Sequence, residues 1–227
     1  MVGTQHCTSF KVKMNSAIIL AGGKGERYKS KTPKQFGKLR GKEILSFSVS
    51  TFKNHPKIDE IIIVTSEEWY DHVSKNYSNC IVAIGGKTRR KSCENGFLSC
   101  NKDSKNILIH DAARPMVSNK IISICIKNLN SFSATSPALA STDSIVYFDK
   151  EQYKNLNRKN VFKMQTPQGF KRDILKKILN SNEDATDEIG TFISLFPNDL
   201  PNIFEGEKEN LKITTQDDID IISNYIS

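Results

Sequence analysis

The six residues Glu60–Thr65, EIIIVT, constrain this chain more than any other stretch. The run is continuous, apolar and β-branched, so both faces of the strand it forms need cover, as in a parallel sheet clothed by helices. Shorter runs of the same kind recur at Ser16–Leu20, Cys80–Ile84 and Asn106–His110. Helical spacing follows them over Ile44 to Phe52, Arg89 to Cys100 and Asn119 to Leu129. Strand then helix, repeated, predicts an α/β fold with a doubly wound, mostly parallel, Rossmann-like sheet.

After Ala134–Ala138 the rhythm changes. Ser144–Phe148 and Val161–Met164 flank a polar, lysine-rich segment, and the expectation is an antiparallel β-arm over about residues 142–165 that protrudes from the sheet. Such an arm buries little of itself, so packing on a second copy, a homodimer, is its economical use. Helices are expected over Arg172–Leu179 and Asp187–Leu195. Thr215 with Asp218 three residues later resembles a capping box that opens a last helix. No repeat or boundary divides residues 14–227, which are read as one domain.

Composition narrows the class. At 227 residues with 37% hydrophobic and 26% charged content the chain can bury a sizeable core. It has no apolar run near the roughly 20 residues that span a bilayer. Residues 1–13 lack the apolar stretch of a signal peptide and read as a disordered leader, with Met14 a plausible second start. The five scattered cysteines form no C-x-x-C pair, and His6, His55, His72 and His110 show no metal-ligand spacing, so a reducing, cytoplasmic setting is expected. The net charge of +8 rides partly on a Lys, Asn and Ile bias. The basic residues sit at strand–helix junctions without a continuous face of interleaved aromatics, which argues against nucleic acid. Of seven arginines, Arg27, Arg89, Arg114 and Arg158 fall in motifs, where a planar fork suits phosphate or carboxylate.

Ala21-Gly22-Gly23-Lys24-Gly25-Glu26-Arg27 directly follows the first strand. Its glycines let backbone N–H groups approach an anion closely. The pattern fits neither the dinucleotide fingerprint nor the P-loop. Thr32-Pro33-Lys34-Gln35 then presents a second lysine, so Arg27 and Lys34 could grip a triphosphate from two sides. Gly85 to Ser92, GGKTRRKS, joins a strand to a helix N-terminus, a ready anion or base-edge site. His110-Asp111-Ala112-Ala113-Arg114-Pro115 lies at a strand's C-terminal end, where open α/β sheets bind ligands and where an aspartate beside phosphates suits Mg²⁺.

L-A-G-G-K-G-E-R-Y-x-x-x-x-P-K-Q resembles the signature loop of the sugar-phosphate nucleotidyltransferases. With H-D-A-A-R-P, Gln165–Phe170 (QTPQGF), Thr186-Asp187-Glu188 and Asn210 to Thr214 (NLKIT), the chain from Met14 onward resembles the 2-C-methyl-D-erythritol 4-phosphate cytidylyltransferases of isoprenoid precursor synthesis. The resemblance implies cytidylyl transfer from CTP to a small sugar-alcohol phosphate, with Mg²⁺ and release of pyrophosphate. It implies Arg27, Lys34 and Lys212 as catalytic residues and Ala21, Gly22, Gly23, Gly25, Gly86, Arg89, Ser92, Asp111 and Ala112 on the CTP side. Asp111 would hold the metal. Arg114, Arg158, Thr186 and Lys212 would face the acceptor, Arg158 reaching a neighbouring subunit. Position 87, often acidic in relatives, is Lys87 here. The rival acceptor is ribitol 5-phosphate, whose cytidylyltransferases share the glycine loop and the Gln-Thr-Pro-Gln run. The rival class is a non-catalytic nucleotide-binding regulator, which would be expected to have lost Lys34 or Asp111.

Overall fold

The computed structural model describes residues 14–23, 25, 28, 30, 32–183 and 185–226. The expected leader, residues 1–13, and Arg27 lie outside the described residues. An eight-stranded sheet forms the core among them. Its parallel half is β1 (Met14–Leu20), flanked by β4 (Glu60–Thr65) and β6 (Ser104–Asp111), with β5 (Ile81–Ile84) beyond β4. Two short strands, β2 (Lys38–Leu39) and β3 (Lys42–Glu43), form a separate hairpin before the first helix. On the other side of β6 lies β11 (Gln168–Lys171), antiparallel to it, and then β7 (Ala134–Ala140), antiparallel to β11. The far end of β7 takes β10 (Phe162–Met164) antiparallel, and β12 (Asn202–Glu205) runs parallel to it along Thr135 to Ala138.

Both faces of the parallel half are covered, as the apolar runs require. Alternate residues of β1, β4 and β6 point to opposite faces. Ala17, Ile19, Ile61, Ile63 and Leu108 meet α1 (Ile44–Lys53), α2 (Tyr70–Asn76) and α4 (Asn119–Asn128). Ile18, Ile62, Val64, Ile107 and Ile109 meet α3 (Arg89–Ser99), α5 (Arg172–Leu179) and α6 (Glu188–Leu195). Helix α4 starts where Ser118 Oγ accepts the Ile121 N–H, and it buries Ile121, Ile122, Cys125 and Ile126, an i, i+4 stripe. Helix α3 lies almost directly on the sheet because of Gly96: a Cβ there would come within 2.7 Å of Ile18 Cγ2 and 2.8 Å of Val64 Cγ2. A third, smaller core joins Tyr28, Leu39 and Ile44 to Ile213 and to Ile219 and Ile222 of α7 (Asp217–Ser223). In the first turn of α7, Asp218 Oδ2 accepts the Thr215 N–H at 2.8 Å, the carboxylate half of the expected capping box.

The arm differs from expectation. The hairpin is β8 (Ile145–Asp149) with β9 (Gln152–Leu156), and the second run expected in it, Val161–Met164, instead supplies β10 of the main sheet. Continuing that edge satisfies the backbone groups of β7's far end, and the polar Gln152–Leu156, with no apolar alternation of its own, pairs locally across a two-residue turn. The hairpin exposes Val146 (64%), Phe148 (58%) and Tyr153 (75%), far more than a free surface ordinarily shows for such residues. Among the described residues no helix is long and apolar enough to cross a membrane.

Candidate active site

Strand β6 ends with two residues on opposite faces. His110 goes toward α1, its ring 5.2 Å from that of Phe52, and is fully buried. Its Nε2 lies 3.1 Å from the Arg114 carbonyl, which can only accept, so the proton sits on Nε2. Nδ1 is then an acceptor, 3.0 Å from the Thr166 hydroxyl, whose oxygen also accepts the Asp111 N–H at 3.1 Å. Burial pushes the imidazole down to about 4, so the ring is neutral near pH 7. His110 and Thr166 therefore fix the end of the strand.

Asp111 turns to the α3 and α6 face and meets three cations. Lys212 Nζ donates to its Oδ2 at 2.7 Å, Arg89 Nη2 lies 3.7 Å from Oδ1, and Arg114 Nε lies 3.8 Å from Oδ2. Burial alone would raise this carboxyl; Lys212, then Arg89 and Arg114, outweigh it and hold the group well below the usual carboxylate range. Arg89 is itself gripped by Glu188, its Nη1 donating to both carboxylate oxygens at 2.7 and 2.6 Å. Burial disfavours the Arg89 charge, yet Glu188 and Asp111 more than restore it.

The residue that follows β1 is tied to the neighbouring strand ends. The Ala21 N–H donates to Val64 O at 2.7 Å, and the Ala112 N–H donates to Leu20 O at 3.1 Å. Gly25 has φ +66°, a backbone state that suits glycine. Buried Gln35, in the 3-10 turn Lys34–Phe36, donates from Nε2 to Ala21 O at 2.6 Å and Gly23 O at 3.0 Å. In a trans peptide the N–H points opposite the C=O, so tying down the Ala21 carbonyl turns the Gly22 N–H away from Gln35. Lys34 Nζ donates to Ile213 O at 2.7 Å, and the Ile213 N–H donates to Ala113 O at 2.8 Å. The segment bearing Lys212 is thus laced to both the lysine turn and the end of β6.

Several residues expected at the site are held by the fold. Ser92 Oγ accepts the Gly86 N–H at 3.1 Å and donates to Thr88 O at 3.0 Å, so it shapes the Gly85-Gly86 turn. Arg114 donates to Asn210 O at 2.9 Å and to Met164 O at 3.3 Å, and burial pushes its guanidinium down. Thr186 is exposed in the loop before α6. Arg158 is exposed in the turn after β9, where its Nη1 donates to Thr142 O at 2.9 Å, and is not brought to the Asp111 cluster of its own chain. Sequence reasoning left Gln35, Thr166, Gln168 and Glu188 without roles, although each stands inside a motif it singled out. Gln168 donates to Asp187 Oδ2 at 2.7 Å and so fixes the cap of α6. The signal that could have found them is a buried polar residue within a motif, which must have a partner.

Chemically, the strand ends gather three cations, Arg89, Arg114 and Lys212, against two carboxylates, Asp111 and Glu188. Lys34, from the turn after the glycine loop, is tied to the segment that bears Lys212 through the Ile213 carbonyl. Such an excess suits a polyanion. Among the described residues no cluster of three or more His, Cys, Asp or Glu could enclose a metal. A cation at Asp111 would therefore take its other ligands from the bound anion, which is how Mg²⁺ is commonly held beside phosphates.

A model of the family described as IspD, 2-C-methyl-D-erythritol 4-phosphate cytidylyltransferase, matches residues 15–227. A 2-C-methyl-D-erythritol 4-phosphate cytidylyltransferase from Clostridium acetobutylicum is 38% identical over 219 residues, 91% of this chain and 94% of that protein. One from Clostridium kluyveri is 34% identical, covering 94% of this chain and 96% of its own length. The crystal structure of 4-diphosphocytidyl-2C-methyl-D-erythritol synthase from Anaerococcus prevotii superposes with a TM-score of 0.83 at 27% identity, over 94% of this chain and 96% of that one. The Francisella tularensis 2-C-methyl-D-erythritol 4-phosphate cytidylyltransferase gives 0.78 at 29%, over 94% and 99%. The chain belongs to the 2-C-methyl-D-erythritol 4-phosphate cytidylyltransferase family.

Proposed function

We propose that the cluster around Asp111 binds CTP and transfers its cytidylyl group to 2-C-methyl-D-erythritol 4-phosphate, forming 4-diphosphocytidyl-2-C-methyl-D-erythritol and pyrophosphate. The observation that carries the reading is the convergence of Asp111, Arg89, Lys212 and the Gln35-tied glycine loop at the C-terminal ends of β1 and β6. The acceptor is a phosphate monoester whose second pKa is near 6, so it is already largely a dianionic nucleophile at pH 7. The reaction needs no general base, which fits a neutral, structurally engaged His110. What it needs is charge neutralisation on preorganised elements.

Lys34 and Arg27 are assigned to the triphosphate and the transferring phosphoryl group, with Ala21, Gly22, Gly23, Gly25, Gly86, Ser92 and Ala112 lining the nucleotide side. Asp111 would hold Mg²⁺, which would neutralise phosphate oxygens there. Lys212, Thr186 and Arg114 are assigned to the acceptor side. Arg158 is assigned to the acceptor held by a partner subunit, and the exposed Val146, Phe148 and Tyr153 of the hairpin support a homodimer through that arm. We place the protein in the cytoplasm, consistent with the free thiols of Cys80, Cys93, Cys100 and Cys125. The test is incubation of the purified chain with CTP, Mg²⁺ and either 2-C-methyl-D-erythritol 4-phosphate or ribitol 5-phosphate. Pyrophosphate release with the first acceptor is expected; release with ribitol 5-phosphate alone would overturn the acceptor assignment.

A further inference from the structure

Arg90, next to Arg89 in the first turn of α3, belongs to none of the roles assigned above. Its guanidinium is half-buried and donates four hydrogen bonds to one stretch of chain about 90 residues away. Nη1 reaches Ser181 O at 2.9 Å and Glu183 O at 2.7 Å; Nη2 reaches Ile178 O at 2.8 Å and Ser181 Oγ at 2.9 Å. Ile178 lies in the last turn of α5, where helix carbonyls lack intrahelical donors, so the fork closes that helix end and runs on into the loop. Arg89 meanwhile holds Glu188, where the same loop enters α6. Two consecutive arginines therefore tie both ends of the segment from Ser181 to Glu188 to the helix that starts at the Gly85-Gly86 turn. Thr186 stands exposed between the two ties.

We infer that Arg90 is a positioning residue for the acceptor: it holds the loop bearing Thr186 in register with the nucleotide side of the site. The inference rests on the assignment of Thr186 to the acceptor phosphate. A planar fork can satisfy carbonyls in several directions at once, whereas a lysine ammonium is a point donor on a flexible stem and cannot span them. Arg90→Lys should thus keep the charge and the helix start and lose the register of the loop.

The experiment is a double-mutant cycle on the full chain with Mg²⁺ and CTP, comparing Arg90→Lys, Thr186→Ala and the pair, with unfolding midpoints measured in parallel. Arg90→Lys should raise the KM for 2-C-methyl-D-erythritol 4-phosphate about tenfold and leave the KM for CTP within about twofold. A general loosening of structure would move both. Thr186→Ala should raise the acceptor KM by a similar factor, and adding Arg90→Lys to it should change little further. An unchanged acceptor KM in Arg90→Lys, with Thr186→Ala impaired, overturns the role of Arg90 and leaves the Thr186 assignment intact. Additive effects overturn it as well, because Arg90 would then act elsewhere. A normal Thr186→Ala enzyme removes the underlying assignment. Should Arg90→Lys unfold, Ser181→Gly with the same readouts removes one fork acceptor, and normal acceptor KM there overturns the proposal.

Discussion

Replacing Glu188 by Gln tests the electrostatics of the site in a single atom. The side chain keeps its volume and one carbonyl oxygen, but Arg89 loses its counter-charge and one of two short hydrogen bonds. Breaking a buried ion pair from one side costs about 3–5 kcal/mol, mostly because the remaining charge is left uncompensated. Here the Arg89 side chain keeps 31% exposure against 5% for Glu188, which gives water some access to the orphaned charge. Asp111 also remains 3.7 Å away. Both features argue for the low end, about 3 kcal/mol. For a chain of this size each kcal/mol shifts the unfolding temperature by about 2–4 °C, so a fall of about 6–12 °C is expected by calorimetry. The double variant Arg89→Met, Glu188→Leu removes both charges and should recover most of the loss, since apolar replacement of buried pairs is often neutral or stabilising. A Glu188→Gln midpoint within about 1 °C of the parent would refute the view that this pair is buried and structurally needed.

Other outcomes follow from the same site. Lys34→Ala should lower kcat by at least about a hundredfold in a coupled pyrophosphate assay, as expected for losing one charge-stabilising donor. Mixing Lys34→Ala chains with Arg158→Ala chains should restore part of the activity through mixed dimers; no recovery would end the cross-subunit role of Arg158. For His110 the pH dependence has a definite sign. Its folded pKa of about 4 lies below the ordinary 6.5, so the unfolded chain binds the extra proton between those values. Stability should therefore fall by about 3 kcal/mol as pH drops from about 6.5 to about 4. His110→Gln should flatten that slope in urea titrations.

The half of the fold that was legible is the half whose strands carry their own instructions. EIIIVT can only be a strand covered on both sides, and it is β4 with both faces packed. The antiparallel half was less legible because its strands are identified by their partners. Gln168–Lys171 and Asn202–Glu205 lack a periodic signature, and the first becomes a strand only by lying between β6 and β7. The same reason explains the arm: local pattern marks Val161–Met164 as extended but does not say that Ala138–Ala140 will receive it. At the site, motifs located the cluster, and Asp111 with Lys212 meet across 101 positions of sequence. The Arg89–Glu188 grip was not legible, since nothing near Arg89 in the chain announces a carboxylate 99 residues later.

Strand β7 carries a consequence for biosynthesis. Thr135 and Ala134 pair with Gly169 and Phe170, while the flank from Thr135 to Ala138 waits for Asn202 to Glu205. A nascent polypeptide that has left the ribosome only as far as Leu200 thus holds an open β-edge beside an otherwise assembled sheet. Open edges recruit foreign strands. Products that stop short of Asn202 should therefore aggregate, because the pairing of Asn202 to Glu205 is what covers that flank of β7.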